Sequence, residues 1–302
     1  MDQLRYPKLL TIQDISCLGK CSITVTLPLI SAMGSECVIL PTAILSTHTM
    51  FTHYSIRDLS DQLETIADHW IREKVHFDAI HTGYLGTQEE IGLVKDLIAK
   101  LRSEDTLVLV DPAMGDNGRL YARFDGAYAR ENASLCAIGD VMVPNITEAC
   151  FMTDVPYRDQ YDEDYIRELL GRLAQLREKG DSADNAFPGK GQKVVITGVA
   201  LSEGKTGVMG LDTATGEYFS YQNDRIPVSY HGTGDIYSSV VAGALMRGLS
   251  WQDSVKLAAD YVRRTVEVTL LDPQEPWYGV NFEETIPELV KMLEAAGAAD
   301  RQ

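Results

Sequence analysis

Gly232-Thr233-Gly234-Asp235 joins two devices that seldom share a site. Glycines and a small residue lead straight into Ile236–Met246, good helix material without proline. Such a turn presents the N–H groups of a helix start to an anion, with the positive end of the helix dipole behind them. A carboxylate in the same place repels that anion. A site that keeps both has a use for both: amides for charge on a transferred group, and a base for the proton of a nucleophile. A lone G-x-G-D is more often the entry of an N-capped core helix through a tight glycine turn, so the rest of the chain must decide.

Other chemical candidates follow short apolar runs. Asp111-x3-Gly115-Asp116 places two carboxylates and a glycine after one such run, which suits Mg²⁺ or, more plainly, an Asp-Pro turn. Asn145-x-x-Glu148 has the spacing of a capping box, and Glu148 could still reach a hydrated metal. Tyr84 could stack on an aromatic ligand or simply end a strand. His48 and His53 lack a third partner for zinc, so His48 reads as a pocket-lining residue and His231 as a residue that orients its loop. Cys17 and Cys21 read as small packing residues. Gly19-Lys20-Cys21-Ser22 lacks the upstream glycine of a phosphate-binding P-loop.

The surroundings narrow the ligand class. The 302 residues carry a formal charge of −17, which disfavours nucleic acid and anionic membranes as partners. An anionic substrate then needs a local attraction, such as a helix start or a metal ion. Five cysteines without a C-x-x-C pair, and a start without a long apolar stretch, point to reduced thiols in the cytoplasm. No run of about 18 apolar residues is present, so no membrane span is expected.

Elements that could position these groups alternate along the chain. Strands are expected at Leu9–Gln13, Cys37–Leu40, Ala79–Thr82, Leu107–Val110, Val141–Val143 and Val194–Thr197. Helical patterns fall near 20–33, 57–74, 88–102, 124–136 and 162–179. The alternation predicts βαβ units, a mostly parallel sheet and helices on both faces. Gly207–Leu211 and Glu217–Tyr221, joined through Thr213–Gly216, predict an antiparallel edge hairpin. Helices at 234–247, 251–270 (with Ser250 as N-cap) and 283–295 close the chain. Gly180–Gly191 reads as a loop too short to link domains, so a single domain over 1–302 is expected. In such a sheet, ligands bind beyond the carboxyl ends of the strands, which singles out Asp14, Ser46–Thr49, Gly83-Tyr84, Asp111–Asp116, Asn145, Glu148 and Thr197-Gly198.

Taken together, these motifs resemble the ribokinase-like superfamily of small-molecule kinases, and within it the pyridoxal/pyridoxamine kinases. The resemblance runs from about Leu9 to the end of helix 251–270. Besides G-T-G-D, it rests on Thr11-Ile12-Gln13, Ser46-Thr47-His48-Thr49, Thr82-Gly83-Tyr84, Asp111-Pro112-Ala113-Met114-Gly115-Asp116 and Pro144-Asn145-x-x-Glu148. It implies a three-layer α/β/α fold and ATP-dependent phosphorylation of the 5′-hydroxymethyl group of a vitamin B6 vitamer.

By position, the resemblance makes Asp235 the general base and gives the Gly232, Thr233 and Gly234 amides the γ-phosphoryl charge. Asp14, Leu45, Thr49 and Tyr84 would hold the pyridine ring. Asp111, Asn145, Thr197 and Thr233 would meet the nucleotide phosphates, while Ile226 and Tyr230 border the adenine. Asp116 and Glu148 would serve Mg²⁺, Glu148 through water. The resemblance also implies a homodimer and leaves a monovalent-cation requirement open. Two residues depart from the family pattern: Asp14 stands where a serine is common, and Val143 where a threonine is. A carboxylate at 14 could pair with a protonated ring nitrogen or favour the cationic amine of pyridoxamine. A hydroxymethylpyrimidine kinase is the sibling alternative, and a non-catalytic vitamin-binding or sensory protein the alternative of another class.

Overall fold

The computed structural model describes residues 6–179, 191–274 and 277–299. The expected loop at 180–191 therefore lies outside the described residues, apart from Gly191. In chain order the first elements are β1 (Lys8–Ser16), α1 (Ile23–Ala32), β2 (Glu36–Leu45), β3 (Ile56–Asp58), α2 (Ser60–Arg72) and β4 (Ala79–Thr82). Next come α3 (Gln88–Leu101), β5 (Leu107–Val110), β6 (Gly115–Asp116), β7 (Arg119–Leu120), α4 (Gly126–Ile138), β8 (Val141–Met142), α5 (Ile146–Thr153) and α6 (Glu163–Lys179). The rest are β9 (Lys193–Val199), β10 (Lys205–Asp212), β11 (Glu217–Asp224), α7 (Thr233–Met246), α8 (Trp251–Thr269) and α9 (Phe282–Ala299). The class is mixed α/β, with a large, mostly parallel sheet and an antiparallel edge hairpin, as expected.

The chain forms two compact units. The first comprises residues 1–81, 101–106 and 226–302. Its strands run in the order β4-β1-β2-β3, with β1 and β2 parallel and β3 antiparallel to β2. Leu9, Leu10 and Ile12 on β1 are fully buried, as are Val240 and Val241 on α7, and α7 packs on α1 and α8. The second comprises 82–100 and 107–225, with strand order β11-β10-β9-β8-β5. There β5, β8 and β9 are parallel, whereas β9-β10-β11 is antiparallel. Strands buried on both faces read as unbroken apolar runs such as Leu107–Val110, which is why they stand out in the sequence.

Several boundaries differ from expectation. β1 extends to Ser16, so Asp14 lies within the strand at an irregularity of register between Gln13 and Ile15, not beyond its end. Thr11-Ile12-Gln13 is likewise mid-strand. The structure adds the hairpin β6-β7, whose turn is Asn117-Gly118: both residues have positive φ, 51° and 74°, the backbone that suits Asn-Gly in a two-residue turn. β3 is short and carries too little periodicity to declare itself, whereas α5 begins at the capping box that Asn145 and Glu148 predict. Among the described residues no helix is long and apolar enough to cross a membrane.

The expected cap of α8 is present: the Ser250 hydroxyl accepts from the Asp253 N–H at 3.0 Å. Ser250→Ala should destabilise the protein by about 1 kcal/mol, measured as a lower denaturation midpoint at unchanged slope.

Candidate active site

α7 starts without a side-chain cap. Gly232 occupies its N-cap position with φ 83° and ψ −2°, a left-handed backbone that residues with a Cβ rarely adopt. A Cβ there would lie 2.1 Å from the Lys20 carbonyl oxygen, so glycine is required twice over. α7 is thus a core helix entered through a tight glycine turn, with glycine rather than a capping side chain at the N-cap position. Thr233 ties the turn to its approach, its hydroxyl donating to the Tyr230 carbonyl at 3.1 Å. Asp235 is the one acidic residue in the first turn of α7. Across the turn, Lys20 and Ser22 both have φ 50°, and the Lys20 ammonium is held by Asn281 Oδ1 at 2.8 Å and Glu283 Oε2 at 3.0 Å.

The same unit gathers Asp14 and Cys21 near this turn. Asp14 is 4% exposed, and the Ser16 hydroxyl donates to its Oδ2 at 2.9 Å. Burial raises its carboxyl pKa against the lowering effect of the Ser22 and Ser16 hydrogen bonds. Burial also pushes the Cys21 thiol far up, helped by the nearby Asp235 and Asp14 carboxylates. One buried thiol therefore senses both acids. Leu45, at the end of β2, is buried, whereas Thr49 is exposed.

His48 and His231 face each other at 4.2 Å between ring centroids, and Phe51 joins them at 4.8 Å from His48. His48 Nδ1 accepts from the Met50 N–H at 3.2 Å, so Nε2 carries the hydrogen and donates to the Tyr278 carbonyl at 3.0 Å. His48 thus sits at the centre of an aromatic cluster that His231, next to the glycine turn, joins by ring contact. Tyr230 borders a cavity of about 500 Å³ with Val228, Thr269, Leu270, Asp272 and Trp277. The half-buried Ile226 precedes that segment.

In the second unit the expected residues also converge. Asn145 caps α5 and Glu148 completes the capping box: Asn145 Oδ1 accepts from the Glu148 N–H at 3.0 Å, and Glu148 Oε2 from the Asn145 N–H at 2.8 Å. Glu148 Oε1 accepts from the Met114 N–H at 3.0 Å, and the Asn145 amide donates to the Gly115 carbonyl at 2.8 Å. Asn145 bridges to Thr197 across parallel backbones. Burial raises the Glu148 pKa well above the carboxylate range, and Asp111, itself 8% exposed, raises it further. Asp116 is exposed, and its carboxylate accepts from Asn117 at 2.8 and 2.9 Å. Among the described residues no group of three or more His, Cys, Asp or Glu could enclose a metal. The half-buried Tyr84 packs on Phe124 at 5.5 Å, and Phe124 stacks on Tyr128 at 3.7 Å. Phe124 and Tyr128 were not singled out, for the sequence before α4 offers no spacing that ties them to Tyr84.

A family model described as phosphomethylpyrimidine kinase matches residues 23–276. The chain belongs to that family, within the ribokinase-like superfamily. Two crystal structures of a provisionally named phosphomethylpyrimidine kinase from Bacteroides thetaiotaomicron VPI-5482 are similar to this kinase. One is 34% identical, covers 96% of each chain and has a TM-score of 0.86. The other, a crystal form with pyridoxal, is 33% identical over 94% of this chain and 96% of that one, with a TM-score of 0.85. Pyridoxal kinase from Lactobacillus plantarum is 29% identical over 96% of this chain and 99% of its own, with a TM-score of 0.83. Among curated proteins, pyridoxal kinase PdxY from Actinobacillus pleuropneumoniae serotype 5b is 27% identical over 66% of each chain.

Two predictions follow from the geometry around the turn. Gly232→Ala should reduce turnover by about two orders of magnitude, because the turn must shift by more than an ångström to clear the Lys20 carbonyl. Initial-rate assays on the folded variant check this. The second concerns acid. Burial first, and His48 second, push His231 down to about 4. The unfolded chain, with an ordinary histidine pKa of about 6.5, binds the proton first, so His231 weakens the fold as pH falls from about 6.5 towards 4. In denaturant titrations at pH 7 and pH 5, His231→Asn should lose less stability on acidification than the parent.

Proposed function

We propose that this kinase transfers the γ-phosphoryl group of ATP to the 5′-hydroxymethyl group of a vitamin B6 vitamer. The observation that carries the reading is the uncapped, left-handed start of α7 with Asp235 in its first turn. Phosphoryl transfer needs positioning and charge stabilisation more than covalent help from the protein, and this turn offers amides and a carboxylate together. Asp235 takes the hydroxyl proton as the 5′-oxygen attacks. The Gly232, Thr233 and Gly234 amides meet the charge on the transferred group.

The cavity at Tyr230 offers Val228, Leu270 and Trp277 for an adenine to pack against, and Ile226, two residues before Val228, is assigned to the same base. Asp111, Asn145 and Thr197 serve the phosphates. Leu45, Thr49 and Tyr84 serve the ring, a role supported by the aromatic neighbours of Tyr84. The B. thetaiotaomicron relative crystallised with pyridoxal supports the vitamer class.

The donor set assigned to Mg²⁺, Asp116 and Glu148, consists of carboxylate oxygens, the ligand class this ion prefers. Mg²⁺ keeps most of its waters in such sites and is held through one or two carboxylates and phosphate oxygens. Both Glu148 oxygens accept backbone N–H groups, which suits contact through water, and Asp116 is the exposed partner. When bound, the ion neutralises phosphate charge. The chain is read as a single-domain, cytoplasmic homodimer that takes ATP and a small molecule and engages neither nucleic acid nor membrane.

Asp14 is the residue read as tuning the ring preference. Its buried carboxylate is met by serine hydroxyls, an arrangement that suits a cationic ring nitrogen or amine. The family description, phosphomethylpyrimidine kinase, and a Haemophilus influenzae relative named hydroxymethylpyrimidine/phosphomethylpyrimidine kinase support one second reading, a hydroxymethylpyrimidine kinase. Assays with ATP, Mg²⁺ and each ring separate the two. Efficient pyrimidine phosphorylation without vitamin B6 turnover would overturn the first reading.

Two variants test the roles. Asp235→Asn should lower kcat by orders of magnitude while pyridoxal still binds, as calorimetry would show. Asp14→Asn should raise KM for pyridoxamine about ten-fold relative to pyridoxal, whereas an equal change for both would remove the specificity role.

A further inference from the structure

His81, near the end of β4, is 1% exposed, and Ser238, one turn into α7, is fully buried. Their Nε2 and Oγ atoms lie 3.2 Å apart. The Ser238 hydroxyl donates to the Asp235 carbonyl at 3.4 Å, so its oxygen accepts from His81 Nε2–H. The ring is thereby fixed in one tautomer, and Nδ1 has no hydrogen-bond partner among the described residues. A hydrocarbon of similar volume would satisfy this place without leaving a buried nitrogen unpaired. Stability alone does not account for a histidine here.

The neighbouring residue on α7 is anchored too. Ser239 Oγ lies 2.9 Å from Thr26 Oγ1 on α1, and the Gln13 amide on β1 donates to Thr26 at 2.8 Å and to Thr11 at 2.7 Å. Consecutive helix residues point about 100° apart, so the two serines fix α7 from two directions and set its rotation about its own axis. With side-chain ends about 6 Å from that axis, a turn of about 20° would carry the Asp235 carboxylate by about 2 Å. Displacements near 1 Å can cost about a hundred-fold in rate.

We propose that His81 and Ser238 are a positioning pair that fixes the rotation of α7 and, through it, the place of the Asp235 carboxylate. This inference rests on the reading of Asp235 as the base.

The test is steady-state kinetics with ATP and pyridoxal on His81→Leu, His81→Gln, Ser238→Ala and the double variant His81→Leu/Ser238→Ala. Each is assayed well below its melting temperature, with Asp235→Asn in parallel. His81→Leu and Ser238→Ala should each lose about ten-fold or more in kcat, with both KM values within about two-fold of the parent. Glutamine can place a donor where Nε2 stands and should restore most of the loss. The double variant should be no worse than the poorer single, since both break one link. Unchanged kcat in folded His81→Leu or Ser238→Ala, a loss confined to KM, or a glutamine as poor as leucine would overturn the pair. Should the His81 variants not fold, Ser238→Ala, the removal of one hydroxyl, decides alone. Full turnover in Asp235→Asn would remove the base reading instead, whereas loss there with unchanged kcat in Ser238→Ala removes only the pair.

Discussion

The close approach of Gly232 to the Lys20 carbonyl is the constraint on which the candidate site depends. With φ at 83° and a clearance that admits no Cβ, the chain can enter α7 only through this turn. A side-chain cap would have satisfied the first amides from within; its absence leaves the helix start able to answer a ligand. The facing segment shares the strain, since Lys20 and Ser22 both hold positive φ without being glycine. Such conformations persist only where surroundings impose them, and here Asn281 and Glu283 anchor Lys20.

Charge explains why such a device is needed. A chain with a net charge of −17 repels a nucleotide at long range, so attraction must be local and fixed. On the proposed reading the backbone amides at the start of α7 supply it together with Mg²⁺. The carboxylates are handled differently in each unit: Asp14 is buried among serine hydroxyls, and Glu148 is tied to the backbone by its capping box. The two residues whose hydrogen bonds start α5, Asn145 and Glu148, use their remaining groups to hold the Met114–Gly115 segment in place.

The parts of the fold visible in the sequence were those that strong local physics dictates. The run Leu107–Val110 appears at its observed limits because doubly buried strands are continuously apolar, and Ala79–Thr82 does so although His81 and Thr82 are polar and buried. The edge hairpin and the Ser250 cap were equally visible, being matters of turn chemistry and capping. Family membership was legible because Asp111–Asp116 and Asn145-x-x-Glu148 follow such runs and G-T-G-D comes after the edge hairpin. The place of Asp14 inside β1 was not, since the strand continues through an irregular register that polar residues disguise as an end. Nor were the partnerships of Tyr84 with Phe124, or of His81 with Ser238, which join residues 40 and more than 150 positions apart. Pairings of that kind are set by tertiary packing and leave no local trace.

The central claim is that the start of α7 is where the phosphoryl group is transferred. It is tested most directly by a crystal structure of the protein with Mg²⁺, pyridoxal and a non-hydrolysable ATP analogue. The account predicts the γ-phosphate against the Gly232–Gly234 amides and the 5′-hydroxyl within hydrogen-bond reach of Asp235. A γ-phosphate bound elsewhere, or a hydroxymethyl group turned away from Asp235, would contradict it.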